Sequence, residues 1–251
     1  MDLMIYGSGS TGREIADMAQ LINRSENRWG TLHFLDDLRQ DQEHYGLGVL
    51  KMTDLNAWPA SFECVIAIGE PQFRLEMHQR LSQKNFTLAT LIDPSARISP
   101  TAKIGPGCIV GPGSFVSSNT ILEENVMLEI NTIVGHDIVI GSHSVISSCT
   151  VLGGAAKIGT CSFIGLNCAV KERTVIGKGV VIGMQSAVYN DIPDEVIALG
   201  NPCRVLRKNE SGRVFKPLAS GSCGPSDTDS TGRTSAVPAN HHAIPLEGDR
   251  L

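Results

Sequence analysis

From Ile92 to Val188 a branched aliphatic residue returns every six positions without a slip, beginning Ile92, Ile98, Ile104, Val110, Val116, Leu122. There are 17 such anchors and 16 equal steps. At nine of them the next residue is glycine, as at Gly105, Gly135, Gly153 and Gly183. Two residues before an anchor stands a small or β-branched residue, such as Ala96, Cys108, Ser114, Thr132, Thr150 or Ser186. This is the signature of a hexapeptide-repeat parallel β-helix.

Six residues make one short face and one turn, and three faces close a triangular coil of about 18 residues. The anchor points inward, and the small residue shares the crowded corner. Glycine after the anchor is expected to supply positive φ at the turn. Stacking at strand spacing makes about five and a half coils a prism roughly 26 Å long. No coil buries its apolar side alone, so stability is a sum over neighbouring interfaces. A sandwich or barrel of short strands has no reason to keep a strict period of six.

The 251 residues suffice for two modest domains and a tail. We partition them as 1–89, 90–190, a capping segment 191–217 with Ile192 to Leu206 closing the prism end, and 218–251. Net charge is -5 without a basic block, which argues against nucleic acid. No apolar run approaches the length of a membrane span. The start, MDLMIYGSGS, lacks signal-peptide features. Seven cysteines form no CxxC pair, so neither a disulfide framework nor a zinc site is expected. Several are expected at inward small positions, and a reducing cytoplasm fits them best. From about Leu218 the chain turns polar and free of aromatics, and it reads as disordered. His241-His242 in this tail is read as an accident, not a metal pair.

Residues 1–89 have another rhythm. Leu3-Met4-Ile5-Tyr6 reads as a strand, followed by Gly7-Ser8-Gly9-Ser10-Thr11-Gly12 and a helix through Ile15, Met18, Ala19 and Ile22. Further strands are expected at Leu32–Leu35 and Cys64–Ile68, and a helix from Pro71 to Ser82 with Phe73, Met77 and Leu81 on one face. This alternation implies a small parallel sheet flanked by helices. The G-x-G-x-x-G loop matches a dinucleotide fingerprint, with Asp36 and Asp37 at ribose distance. Only one mononucleotide half fits before the repeats. The loop therefore reads as a cradle for the phosphates or sugar of one nucleotide, with a structural turn or a full dinucleotide site as alternatives.

Three features carry a resemblance across residues 1–207. They are the glycine loop with Phe34-Leu35-Asp36-Asp37, Ala67-Ile68-Gly69, and Val134-Gly135-His136-Asp137. The exit segment Ala198-Leu199-Gly200-Asn201-Pro202-Cys203-Arg204-Val205 adds to them, with Cys203 where alanine is more usual. The chain resembles bacterial sugar acetyltransferases that join a small Rossmann-like domain to a left-handed β-helix. Among these are N-acetyltransferases of nucleotide-linked 4-amino-sugars and sialic acid O-acetyltransferases. The resemblance implies acetyl-coenzyme A as co-substrate, no metal, a homotrimer, and a role in surface glycan biosynthesis. It also implies nucleotide-sugar contacts at Gly9, Ser10, Thr11, Asp36, Asp37 and Gly69. Relatives acting on amino-sugars often carry Asn near Glu129 and a second His near Val145, which leaves N- or O-acetylation open.

The second residue after an anchor points outward at a coil edge, and His136 is the only histidine at such a position. Asp137 beside it can orient the imidazole and raise its basicity. A base near neutrality is what strips a proton from an amine or hydroxyl attacking a thioester. The resemblance assigns His136 as that base and Asp137 as its tuner. His143 is the rival, and His33, His44 and His78 are expected on the surface. One coil on from His136, the Gly154 N–H is expected to bind the developing oxyanion. Leu166 and Met184 are expected further along the same edge, beside the pantetheine arm. A non-catalytic hexapeptide scaffold is the reading from another class.

Overall fold

The structure, a computed structural model, describes residues 1–58, 61–83 and 86–215. The tail, with Cys223 and His241-His242, lies outside the described residues.

The N-terminal part comprises β1 (Asp2–Tyr6), α1 (Ser10–Glu26), β2 (Leu32–Leu35), β3 (Glu43–His44), β4 (Leu47–Leu50), β5 (Phe62–Ile66), α2 (Pro71–Ser82) and β6 (Thr87–Leu88). Its sheet runs β3-β4-β2-β1-β5-β6, parallel except at β3–β4. The third expected strand lies two residues earlier than its apolar run suggested, at Phe62–Ile66. The β3–β4 hairpin was not foreseen. Its turn uses Tyr45 (φ 54) and Gly46 (φ 69), and tyrosine gives none of the Asn or Asp signal that marks two consecutive positive-φ residues. Ile15, Ala16, Met18, Ala19 and Ile22 form the buried stripe of α1.

The repeats fold as expected, into two-residue strands, β7 (Leu91–Ile92) to β23 (Ala187–Val188), in three parallel sheets. The first face is seen at Ile109–Val110, Met127–Leu128 and Val145–Ile146; the second at Phe115–Val116, Ile133–Val134 and Val151–Leu152; the third at Ile121–Leu122, Val139–Ile140 and Lys157–Ile158. Register repeats one coil on, as in Ile109↔Met127 and Ile133↔Val151. Anchors from Val110 onward are 4% exposed or less, each contributing roughly 1.5–3 kcal/mol by burial. The small residues before them form hydroxyl ladders. Thr120 Oγ1 donates to Gly135 O, Thr150 Oγ1 to Gly165 O and Ser162 Oγ to Gly177 O, each at 2.8 Å.

The glycines after the anchors have a different reason from the expected one. None of the nine has positive φ. The next coil passes too close for a side chain: a Cβ on Gly153 would sit 2.5 Å from Glu172 N, and one on Gly141 2.6 Å from Thr160 N. Positive φ falls two residues later, at Gly107, Asn119, Asn125, Asn131 and Asp137 among others. Cys149 (φ 61) and Cys161 (φ 53) occupy such turn positions and are not inward, whereas Cys108 and Cys168 are buried as expected.

The outward side chains of the first face, Leu91, Ile109, Met127 and Val145, share one buried cluster with Leu3, Ile5, Ile15 and Met18. The N-terminal part therefore rests on the first face. The second face keeps Phe115, Ile133 and Val151 41–45% exposed. At the end of the prism Ile192 bridges to Ile176, and β24 (Val196–Leu199) pairs with Val181–Ile182 and with antiparallel β25 (Arg204–Lys208). The chain then returns to α2, where the Val214 and Phe215 N–H groups donate to the buried Glu70 carboxylate. Among the described residues no helix is long and apolar enough to cross a membrane.

Candidate active site

His136 stands on the edge between the second and third faces, with its side chain 63% exposed. Its Nδ1 lies 2.7 Å from Asp137 Oδ2, and Asn119 Nδ2, one coil back, donates to Asp137 Oδ1 at 3.1 Å. Those two hydrogen bonds, His136's foremost, hold the Asp137 carboxyl below its ordinary range, so it stays ionised beside the imidazole. With Nδ1 bound to a carboxylate, the free Nε2 is the basic nitrogen.

Gly154 follows one coil on, and the imidazole lies over it. A Cβ there would meet His136 Nε2 at 2.6 Å and Cε1 at 2.7 Å. Gly154 N–H donates no hydrogen bond among the described residues. The reason is local. On the other edges a glutamate reaches the N–H that lies 19 residues on: Glu123 takes Ser142 N at 3.0 Å, and Glu129 takes Ser148 N at 3.1 Å. The residue in that position before Gly154 is Gly135, which has no side chain to offer. An uncommitted N–H beside a basic imidazole can stabilise an oxyanion next to a proton acceptor.

Leu166 and Met184 lie on a different edge, which corrects the expected placement. They follow the first-face strands Phe163–Ile164 and Val181–Ile182, so they sit between the first and second faces. Twelve residues carry the chain across two faces, whereas return to an edge takes a full coil of eighteen. Leu166 (48%) and Met184 (69%) are adjacent exposed apolar residues on that edge, separated from Ile130 (43%) by Ser148.

The nucleotide-loop residues gather at the C-terminal ends of β1, β2 and β5. A Cβ on Gly12 would meet Gly7 O at 2.0 Å, so this glycine serves helix–strand contact. Gly9 and Gly69 face open space, with nothing within 4 Å of an added Cβ. Ser10 is exposed and Thr11 half-buried. Asp36 is already committed. Its Oδ2 accepts from Ser8 N (3.1 Å) and Oγ (2.5 Å), and its Oδ1 from Leu38 N and Arg39 N. Burial alone would raise its pKa, but these bonds outweigh that and lower it, so Asp36 stitches the loop to the next turn. Asp37 accepts from Tyr6 OH at 3.2 Å and Met52 N at 2.9 Å, and burial pushes the Tyr6 phenol up to about 12.

Beyond Thr11 a cavity of about 420 Å³ opens between α1 and the first/second edge. Its floor is Ile15, Met18, Ile109 and Met127; its carboxylates are Glu14, Asp17, Asp93 and Glu129, with no cationic residue in the lining among the described residues. The sequence did not disclose it, because it joins residues more than a hundred positions apart.

His33, His44 and His78 are half-buried, not surface residues as expected. His143 is 7% exposed on the third/first edge. Burial, then the neighbouring His78, drops its pKa to about 4, which removes it as a base. His78, Glu124 and His143 bring one ligand atom each within 4.8 Å of one another, a cluster the repeat spacing could not reveal because His78 comes from α2.

Thus the two groups of candidate residues lie apart on one chain. The glycine loop belongs to the part resting on the first face, whereas His136 and Gly154 lie on the edge across the prism.

Fold and site define an α/β domain joined to a hexapeptide β-helix with a histidine–glycine pair on one edge. Residues 2–81 match the model of the PglD N-terminal domain, and residues 87–197 that of the GMPPB C-terminal domain. The acetyltransferase domain of PglB from Neisseria gonorrhoeae, solved also with acetyl coenzyme A, is 30% identical, with a TM-score of 0.76 over 82% of this chain and 99% of that one. PerB from Caulobacter crescentus, solved with CoA and GDP-perosamine, shares the fold at 22% identity and TM-score 0.76, over 82% of this chain and 97% of its own. The galactoside O-acetyltransferase of Lactococcus lactis is 48% identical over 46 residues, 18% of this chain and 22% of its own. The matches span about a quarter of the length of the curated relatives. The chain belongs to the bacterial sugar acetyltransferases that join a small Rossmann-like domain to a left-handed β-helix.

Proposed function

We propose that this protein transfers the acetyl group of acetyl-coenzyme A to the amine of a nucleotide-linked amino-sugar, in surface glycan biosynthesis. The observation that carries this is the His136 imidazole, backed by Asp137, lying over a glycine whose N–H is uncommitted. The chemistry is direct. The bound ammonium first releases one proton to solvent, and His136 Nε2 accepts the next as the amine nitrogen attacks the thioester carbon. Gly154 N–H binds the oxyanion. The intermediate collapses, the C–S bond breaks, and the imidazolium returns the proton to the departing thiolate.

A homotrimer completes the site. The exposed row Phe115, Ile133 and Val151 gives the second face an apolar surface for neighbouring copies to cover around a three-fold axis. A neighbour packed there carries its His136 edge toward this chain's first/second edge, where the Thr11 cavity, Leu166 and Met184 lie. The pantetheine arm then runs between copies, past Leu166 and Met184. The glycine loop, Asp37 and Gly69 hold the nucleotide, and Asp36 holds the loop. PerB, of the same fold, is seen with a nucleotide sugar, which fits this division of labour.

The cavity favours an amine over sialic acid. Four carboxylates without a lining cation attract an ammonium and repel a sugar carboxylate. Glu129 keeps the attraction where relatives often carry Asn. The experiment pairs two dead subunits. Gly9→Val fills the open space at the loop, and His136→Asn removes the base. Co-expressed, they regain about a quarter of wild-type turnover if each site is shared between copies. Mixed trimers without activity refute the shared site.

A further inference from the structure

α2 begins two residues beyond Gly69 and carries Arg74. This residue is 0% exposed, and no carboxylate pairs with it among the described residues. A buried guanidinium is costly unless its donors are met. Here carbonyls meet them. Nη1 donates to Ile66 O at 2.6 Å and Ile68 O at 3.1 Å, at the exit of β5. Nε and Nη2 donate to Asn125 O at 3.0 and 2.8 Å, and Nη2 also to Asn125 Oδ1 at 2.5 Å. One side chain thus ties the segment ending in Gly69 to the third/first edge of the β-helix.

The partner side is equally determined. Asn125 is 0% exposed and sits at φ 56. Its oxygen must face the guanidinium, so its Nδ2 donates to Arg74 O at 3.3 Å and to His143 Nδ1 at 3.1 Å. His143 Nδ1 is therefore an acceptor, and the neutral ring carries its proton on Nε2. That tautomer commits His143 Nδ1 to Asn125, while beside it His78 Nε2 pairs with Glu124 Oε1 at 3.1 Å. The arrangement spends a fully buried charge and two buried polar side chains on orienting one short segment, where apolar packing would hold the domains together at less cost.

We propose that Arg74 is a positioning residue: through Ile66 O and Ile68 O it sets the Ile66–Gly69 wall of the nucleotide-sugar site against the β-helix. This rests on the reading above, in which Gly69 lines that site. Arg74 touches no substrate in this account, so its loss acts on nucleotide-sugar binding and leaves the coenzyme A groove, built from other edges, unchanged.

The test uses Arg74→Lys, which keeps the charge and loses the fork, and Asn125→Gly, which keeps the left-handed backbone and removes the partner side chain. In folded oligomers of either variant the KM for the nucleotide sugar should rise about tenfold, less than the roughly hundredfold rate loss that a 1 Å misplacement at the reacting atoms can cause, while the KM for acetyl-coenzyme A stays within about twofold. Hydrogen exchange should speed up at residues 66–70 and stay unchanged in β1. An unchanged nucleotide-sugar KM, or both KM values rising together, overturns the proposal. If wild type uses no nucleotide sugar, the function proposed above fails, and the exchange data decide on Arg74 alone. Unaltered exchange at 66–70 would then overturn it.

Discussion

Replacing Gly154 by alanine separates the catalytic use of a glycine from its structural use. A Cβ at Gly154 would stand 2.6 Å from His136 Nε2, against 3.4–4 Å for ordinary contact. The backbone there is not in the left-handed region, so it accepts alanine without strain. The obstacle is the far end of an exposed side chain, which can swing away. The ring must move by roughly 1 Å, a displacement that can cost about a hundredfold in rate, or about 2.7 kcal/mol of transition-state stabilisation. Stability should hold or rise slightly, since alanine narrows the unfolded ensemble by about 0.4–1 kcal/mol. Gly153→Ala is the opposite case, because its Cβ would meet the Glu172 backbone N at 2.5 Å and backbone cannot swing. The assay is thiol release from acetyl-coenzyme A beside a thermal melt. Gly154→Ala should lose kcat/KM with its Tm kept, and Gly153→Ala should lose Tm. A Gly154→Ala enzyme with wild-type kcat/KM would refute the reasoning.

His136→Asn should lower kcat by about 10²–10⁴-fold with the circular-dichroism spectrum and oligomer unchanged, and retained turnover would remove His136 as the base. Ile133→Asp on the second face should shift the protein to monomer in light scattering and abolish turnover; a persistent trimer would place the interface elsewhere. Glu129→Gln should raise KM for the amino-sugar substrate several-fold with little change for acetyl-coenzyme A, checked by steady-state kinetics. His143, packed against His78, Arg74 and Glu123, has a folded pKa near 4 against an ordinary 6.5. The unfolded chain binds the extra proton between these values, so stability is lost as pH falls from about 6.5 to 4. The Tm of His143→Asn should fall less steeply over that window, and parallel curves would contradict the buried neutral imidazole.

The period of six determined faces, register and the outward place of His136, because a repeat held by stacking leaves no freedom in the count. What it could not convey was the reason for each residue. Glycine after the anchor suggested positive φ, yet the neighbouring coil's backbone is the constraint, and that is visible only once coils are stacked. Leu166 and Met184 stand twelve and thirty residues past Gly154, neither a multiple of the eighteen-residue coil, so they fall on another edge. Asp36 stood at ribose distance in the sequence, but whether a carboxylate is free depends on donors such as Ser8 and Arg39 that folding brings to it. Nothing in the periodicity of α2 marks Arg74 as buried, since helical periodicity cannot see a second domain lying on that face. The acidic cavity and the His78–Glu124–His143 cluster join residues far apart in the chain and leave no local pattern.

The central claim is tested most directly by thiol release from acetyl-coenzyme A against UDP-, dTDP- and GDP-linked 4-amino-sugars, with free sialic acid alongside. The account predicts turnover with at least one nucleotide-linked amino-sugar and none with sialic acid. Turnover with sialic acid alone would contradict the acidic acceptor cavity and make the protein an O-acetyltransferase, and silence throughout, without coenzyme A binding, would leave only a scaffold.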